Sequence, residues 1–442
     1  MSHVPLIFII AGEASGDQLG ADLMASLKEL QEVRFAGIGG PAMTAQGLPS
    51  LFPMEELSLM GVIGIIRHLP HLLRRLKYTV ETIRAMKPDV VITIDTQEFS
   101  YQVMKRLHKL PEKPRLVHYV APTVWAWRPG RARKISAIVD HLLCLYPFEP
   151  PYFEKYGLKT TFVGHPIAKG NDKIPDALSN RVIPAKKGIQ NNQMELSNFS
   201  MDSRLRGNDI GKMDKKTSSN RVGIENRNPN LLCVLPGSRR SEIQALLPIF
   251  GQTVALLEQK LPSLKIIIPT LPSLKYLIEQ GTREWSADVS IVVGDEERQA
   301  AFQKAAVALA ASGTIAIQLA AAGLPFIIAY KVGKINEWIG RALFTTPWVC
   351  MINILLAFHT FGPGYILNRK AKEKVKKPWI PEFLQNDCTP QKLKEALLKL
   401  VEDSNPRSCQ EKAMNQAITL LTAPPQTAAK SVLEEIILAD RF

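Results

Sequence analysis

Twice along the chain, unbroken apolar runs of strand length alternate with stretches of helical period. "LIFII" (6–10) precedes the helix-patterned "DQLGADLMASLKEL", and "RFAGIGG" follows. "DVVITID" (89–95), "RLVHYVAP" (115–122), "HLLCLYPFE" (141–149) and "KTTFVGHP" (159–166) complete the first round. The second opens at "NLLCVLPGSRRSEIQALLPIF" (230–250) and continues through "LKIIIPT" (264–270), "VSIVVGD" (289–295), "AAVALAASGT" (305–314) and "LPFIIAYKV" (324–332). Strands that are apolar throughout, rather than at alternate positions, are buried on both faces. That is the condition of a parallel sheet covered by helices. The expected fold is α/β: two Rossmann-like domains, one after the other, facing across a cleft at the carboxyl ends of their strands.

At 442 residues the chain has room for two or three domains. The expected division is an N-terminal Rossmann-like domain over 1–170, an insert over 171–229, a second Rossmann-like domain over 230–385, and C-terminal helices over 386–442. The insert includes "NNQMELSNFSMDSRLRGNDIGKMDKKTSSNRVGIENRNPN", rich in Asn, Ser and charge, with no sustained apolar period. Such a composition buries too little surface to offset the entropy of ordering it, so disorder is expected there. Its "SRLRGND" resembles peptides encoded by repetitive palindromic elements inserted into genes of some intracellular bacteria, which implies a tolerated insertion. Phe358 to Lys377 reads as a second irregular region with a solvated lysine run. "PQKLKEALLKLVED" and "TAAKSVLEEIILADRF" read as amphipathic helices.

Apolar content of 46% and charged content of 22% place the chain among soluble globular proteins. No basic region precedes the first apolar run, so no signal peptide is expected. No apolar stretch reaches the ~20 residues that span a bilayer. A cytoplasmic protein is expected, free or lying on a membrane surface. Cys144, Cys233, Cys350, Cys388 and Cys409 form no CxxC pair and no zinc spacing, so buried, reduced thiols are expected. A net charge of +14 suits nucleic acid, anionic lipid or phosphorylated metabolites, and equally a solvated basic surface.

Chemistry-bearing residues gather where strands end. In "AGEASGDQLGADL", Gly12 and Gly16 permit a tight turn and Ser15 or Asp17 can cap the following helix, whose exposed amides suit an anion. The stretch lacks the Gly-Lys-Ser/Thr of a Walker loop and the spacing of the dinucleotide fingerprint. Asp95 ends an apolar strand in "TIDTQEFS", as a catalytic group or as a helix cap. In "HYVAPTVWAWRPGRARKI", Trp125 and Trp127 precede Arg128, Arg131, Arg133 and Lys134, which suits a sugar face with phosphates, a nucleic acid, or simple packing of the rings. "LPGSRRSEI" sets Arg239 beside a helix start that Ser241 and Glu242 can cap, an arrangement suited to a pyrophosphate. Ser312, Gly313 and Thr314 open a small-residue helix after a buried strand, where amides can approach phosphate oxygens. His118 and His165 sit by turns, and His68 and His71 on a basic apolar segment. With no HExxH and no G-x-S-x-G, neither a metal nor a hydrolase triad is expected. "LSLMGVIGIIRHLPHLLRRLKYTV" (57–80) fits an amphipathic helix on a membrane surface, or a core helix with a basic outer face, kinked or divided at Pro70.

Several of these motifs occur together in one family. "AGEASGD", "GIGGPAM", "MEELSLMGVIGII", "HYVAPTVWAWRPGRARKI", "FVGHP", "LPGSRRSEI", "ASGT" and "PEFLQNDCTPQKL" stand in the order found in lipid-A-disaccharide synthases, GT-B glycosyltransferases of family 19. The resemblance covers nearly the whole chain apart from the insert and 358–377. It implies transfer of 2,3-diacylglucosamine from its UDP derivative to 2,3-diacylglucosamine 1-phosphate, inverting, with no metal or other cofactor. It implies Asp95 as the base. Arg239, Ser238, Ser312, Gly313, Thr314 and Gln318 would serve the UDP-sugar. Gly12, Glu13, Ser15, Gly16 and Asp17 would shape the acceptor loop. For a lipid substrate, Met60, Val62, Ile63, Ile65, Ile66, Leu69, Leu72 and Leu73 become the expected membrane contact, on anionic inner-membrane lipid. The resemblance also implies a homodimer and no nucleic-acid partner. The chain departs from the family at Glu98 and Ser100, at Gln318 where an acid is usual, and in the "MIN" that leaves Asn353. The alternatives are another GT-B UDP-sugar enzyme (a cell-wall N-acetylglucosaminyltransferase or a UDP-sugar 2-epimerase), an inactive copy, or a basic nucleic-acid-binding protein.

Overall fold

A computed structural model of the chain describes residues 3–57, 62–95, 97–126, 128–169, 227–311, 315–331, 346, 348–362 and 378–439. The expected insert therefore lies outside the described residues, apart from its last three positions.

The first sheet holds β1 (Leu6–Ala11), β2 (Arg34–Ile38), β3 (Val90–Ile94), β4 (Arg115–Tyr119), β5 (His141–Cys144) and β6 (Lys159–Phe162). Its helices are α1 (Ala14–Leu30), α2 (Pro41–Ala45), α3 (Val62–Met86), α4 (Gln97–Leu107), α5 (Arg131–Ser136), α6 (Pro151–Glu154) and α7 (Pro166–Lys169). The second sheet holds β7 (Asn228–Leu235), β8 (Lys265–Thr270), β9 (Asp288–Val293), β10 (Ala305–Ala310), β11 (Phe326–Tyr330) and β12 (Glu382–Leu384). With it go α8 (Arg240–Glu258), α9 (Lys275–Thr282), α10 (Asp295–Lys304), α11 (Ile315–Ala321), α12 (Met351–Phe361), α13 (Pro390–Glu402), α14 (Ser404–Leu420) and α15 (Thr427–Ala439).

Every strand pairing is parallel, in the orders β2–β1–β3–β4–β5–β6 and β12–β11–β10–β7–β8–β9. Each order reverses once, between β1 and β3 in the first sheet and between β7 and β10 in the second. At such a switch point the loops leaving the two strands turn to opposite faces and open a crevice at the carboxyl edge. The apolar runs account for the core. Ile7 to Ala11 are wholly buried, and each large side chain so buried contributes ~1.5–3 kcal/mol. In the second sheet alternate residues face opposite layers. Leu232 and Val234 pack with α8 and α13, whereas Cys233 and Leu235 face the cluster shared with the first sheet.

The C-terminal helices tie both sheets together. On α14, Gln410 Oε1 accepts from the Phe326 amide at 2.7 Å and its Nε2 donates to the Phe326 carbonyl at 2.9 Å, which pins the helix to β11. On α15, buried Glu435 accepts from Arg115 of β4 and from Lys159 of β6 at 2.9 Å, and lies 3.1 Å from His141 Nδ1 of β5.

Four expectations change. α3 is not divided at Pro70: the helix runs unbroken from Val62 to Met86. Just past Pro70, Glu56 braces it, with His71 Nε2 and Arg75 Nε each 2.6 Å from Oε2, and Arg75 Nη2 2.7 Å from Oε1. The region read as irregular from Phe358 begins inside α12, which ends where Gly362, at φ 81°, donates its amide to the Phe358 carbonyl at 2.8 Å; residues 363–377 lie outside the described set. β12 and α14 add to the predicted elements. Of the five cysteines, four are buried and Cys409 is exposed.

Candidate active site

The loop after β1 and the end of β3 share the first switch point. A Cβ on Gly16 would sit 3.4 Å from Ala11 Cβ and 3.5 Å from the Ile94 carbonyl, so the start of α1 packs directly on both strand ends. Glu13 and Ser15 are exposed there, and Gly12 and Gly16 are buried. Neither Ser15 nor Asp17 caps α1, whose N-cap Glu13 makes no side-chain cap bond. Asp17 instead reaches α2: Oδ1 accepts from the Gly40 and Met43 amides at 2.8 and 3.0 Å, and Oδ2 from the Ala42 amide at 2.9 Å. A carboxylate at a helix start stabilises it through those amides and the helix dipole. Asp17 thus holds "GIGGPAM" to "AGEASGD".

Asp95 follows β3 with φ of 51°, its amide donating to the Tyr119 carbonyl at 3.0 Å. Left-handed backbone is uncommon outside glycine, and strained residues concentrate at functional sites. The neighbouring strand end repeats the strain at Val120, φ 79°, where a β-branched side chain makes it costlier. No spacing rule in the sequence signals that second position. Under this edge His118 is buried, its Nδ1 2.7 Å from Thr93 Oγ1. Burial pushes both His118 and His165 down to about 4, so both are neutral at pH 7.

The turn after β4 resolves one of the tryptophans. Trp125 is buried edge-to-face on Phe148, centroids 5.2 Å apart at 87°, so packing claims this ring; Trp127 lies outside the described residues. Arg131 Nη2 donates to Glu98 Oε2 at 3.2 Å, linking α5 to the Glu98 departure. Arg128, Arg133 and Lys134 are exposed.

The second switch point lies between the ends of β7 and β10. Gly237, at φ 113°, lets the Pro236–Ser238 turn wrap Glu242: a Cβ there would stand 2.6 Å from Glu242 Oε2. Glu242 accepts from the Ser238 amide at 3.3 Å, and its Oε1 from Arg239 Nη1 at 3.2 Å. The expected cap is therefore Glu242 alone, turned back to Ser238, with Ser241 exposed. The Arg239 side chain is 77% exposed and leads out from the strand end. Ser312, Gly313 and Thr314, after β10, lie outside the described residues. On α11, Gln318 Oε1 is buried with no hydrogen-bond partner among the described residues. Asn353 is fully engaged: Nδ2 donates to the Ile380 carbonyl and Glu382 Oε1, each at 2.8 Å, and Oδ1 accepts from the Ile380 amide at 2.9 Å.

Of the expected membrane contacts, Leu69 and Leu73 are 47% and 49% exposed, while Leu72 leans on the core. Met60 is outside the described residues, and of Val62, Ile63, Ile65 and Ile66 only the helical backbone is described. No helix among the described residues is long and apolar enough to cross a membrane. A groove of about 610 Å³ runs between α8 and α9, past Leu247, Leu277 and Trp285, and includes none of the strand-end residues.

Two parallel sheets with chemistry-bearing loops at both switch points define the GT-B class of fold. Solved structures share the fold: a Staphylococcus aureus MnaA–UDP structure at TM-score 0.56 and 10% identity, covering 99% of this chain and 97% of that one. Acinetobacter baumannii MurG follows at TM-score 0.50 and 13% identity, covering 99% and 100%. The family model described as lipid-A-disaccharide synthetase matches residues 7–213 and 208–437. The lipid-A-disaccharide synthase of Rhodospirillum centenum is 38% identical, over 99% of this chain and 96% of its own. That of Rhodopseudomonas palustris (strain HaA2) is 36% identical, over 95% and 93%. The chain belongs to the lipid-A-disaccharide synthase family.

Proposed function

We propose that the protein joins UDP-2,3-diacylglucosamine to 2,3-diacylglucosamine 1-phosphate, giving the β-1,6-linked disaccharide 1-phosphate of lipid A and UDP. The observation that carries this reading is the placement of Asp95 and Arg239 at the switch points of two parallel sheets, in a chain of this family. The Asp95 carboxylate takes the proton of the acceptor 6-hydroxyl as that oxygen attacks the anomeric carbon from the face opposite UDP. The new C–O bond forms as the bond to the β-phosphate breaks, and the anomeric centre inverts. General-base help of this kind contributes about 10²–10⁴-fold. The Arg239 guanidinium, with the Ser238 hydroxyl and the 312–314 segment, receives the charge that grows on the departing diphosphate. Gln318 offers its Oε1 to a ribose hydroxyl.

The lobe of the first sheet takes the acceptor, with Gly12, Glu13, Ser15 and Gly16 along its rim; that of the second takes the UDP-sugar. Exposed Leu69 and Leu73, beside exposed Arg74 and Lys77, suit contact with an anionic bilayer from which both acylated substrates come.

A turnover assay tests the reading, with UDP-diacylglucosamine and its 1-phosphate acceptor set against the unacylated pair. Disaccharide is expected from the acylated pair alone. Epimerisation or transfer of unacylated UDP-N-acetylglucosamine would overturn it.

A further inference from the structure

One peptide unit ties the backbone of Asp95 to the neighbouring strand end. Its carbonyl, on Tyr119, accepts from the Asp95 amide at 3.0 Å, and its N–H, on Val120, donates to the Leu143 carbonyl at 3.0 Å. The unit is therefore held from both sides. One step earlier β3 and β4 are tied again: Thr93 and His118 are partners in the ladder, and their buried side chains meet at 2.7 Å.

Past this clamp the chain leaves through Val120 at φ 79°. With the peptide fixed, rotation about the Val120 N–Cα bond decides where the following loop goes. The left-handed value folds it back. Val124 and Trp125 are buried in it, and Arg131 at its far end reaches Glu98 in the first turn of α4 at 3.2 Å. Asp95 is bracketed as a result: its amide bonds to the clamped peptide, and the helix that follows it is fastened to the end of the same loop. A branched L-residue is the poorest choice for this backbone and glycine the best. Yet glycine would leave the joint loose, because it enters nearly every φ region, whereas a side chain confines the left-handed conformer to a small area. Strain of this kind persists only where the surroundings over-determine it.

We propose that Val120 is a positioning residue for the transfer: its left-handed joint, acting through the Tyr119–Val120 peptide, fixes the backbone from which the Asp95 carboxylate meets the acceptor hydroxyl. This rests on the reading of Asp95 as the base. Single-turnover rates, UDP dissociation constants and thermal midpoints are measured for the wild type, Val120→Ala, Val120→Gly, Asp95→Asn and the double variant Asp95→Asn/Val120→Gly. Both Val120 variants lose the isopropyl group, but only glycine releases the joint. Val120→Gly is expected to melt above Val120→Ala, since glycine carries no Cβ penalty at positive φ. It is also expected to turn over about tenfold more slowly than Val120→Ala, with UDP affinity unchanged within about twofold. A packing defect would instead order the two variants alike in stability and in rate. In the Asp95→Asn background Val120→Gly should add nothing. Equal rates for the glycine and alanine variants, a glycine variant that melts below the alanine one, or an equal loss in the Asp95→Asn background would overturn the positioning role alone. Turnover of Asp95→Asn near the wild-type rate would remove the base and the positioning role with it.

Discussion

Trp125 rests on a buried carboxylate: its Nε1 lies 3.4 Å from Oε1 of Glu149. The other oxygen accepts from the Tyr146 amide at 3.0 Å. Above it Phe148 carries the tryptophan on one side and meets Phe358 of α12 on the other, centroids 5.8 Å apart. The contact between the turn after β4 and the second half of the chain is therefore built over this acid. Burial pushes Glu149 up from 4.5 to about 8, against the lowering effect of its donors. A raised folded value favours folding below about 4.5 and loses that advantage as pH rises through about 8. Glu149→Gln should gain stability relative to the wild type between pH 5 and pH 9, read as the difference in denaturation midpoint. A gap independent of pH would contradict it.

Glu435 is the opposite case. Burial would raise it, but the nearby His141 ring and the hydrogen bonds from Lys159 and Arg115 hold it down at about 2. Its contribution is full above about 4.5 and fades as pH falls toward 2. Glu435→Ala removes the buried acceptor shared by Arg115 and Lys159, leaving them Asp140 and Glu434, and should cost about 2–3 kcal/mol at pH 7 in chemical denaturation. A cost under about 1 kcal/mol would place α15 outside the cooperative core.

Gln318 offers a buried acceptor oxygen without a partner among the described residues. A carboxylate accepts on both oxygens and forms charge-assisted bonds. Gln318→Glu should tighten UDP about three- to tenfold by titration calorimetry. Unchanged affinity would take the ribose contact away from this position.

Arg227 marks the downstream limit of a tolerated excision. Its Nη1 donates to the carbonyls of Phe302 at 2.6 Å and Ala305 at 2.9 Å, and its Nη2 to that of Ala322 at 2.9 Å. Removing 175–226 should leave solubility and thermal midpoint close to wild type. Extending the cut through Arg227 removes the donor to three partly buried carbonyls and should cost about 2–4 kcal/mol. Loss of folding in the shorter excision would show that the segment is structural.

The strands were legible because both-face burial writes an unbroken apolar run, as in Ile7 to Ala11. β12 has three residues, Glu382 to Leu384, too few to carry a period. α12 was obscured because its sequence, "MINILLAFHTF", is apolar on nearly every side and carries no helical stripe. The placement of Asp95 and Arg239 just past strands was readable because strand ends announce themselves. The uses of Asp17 and Glu149 were not. Asp17 binds amides 23 to 26 positions away, and Glu149 binds an indole 24 positions away. Local spacing contains no record of such partners.

The proposed transfer requires Asp95 as the base that deprotonates the acceptor. Single-turnover rates and UDP dissociation constants for the wild type and Asp95→Asn test it most directly. Asp95→Asn is expected to lower the rate at least about 100-fold with UDP affinity unchanged within about twofold. A variant that turns over near the wild-type rate would contradict it.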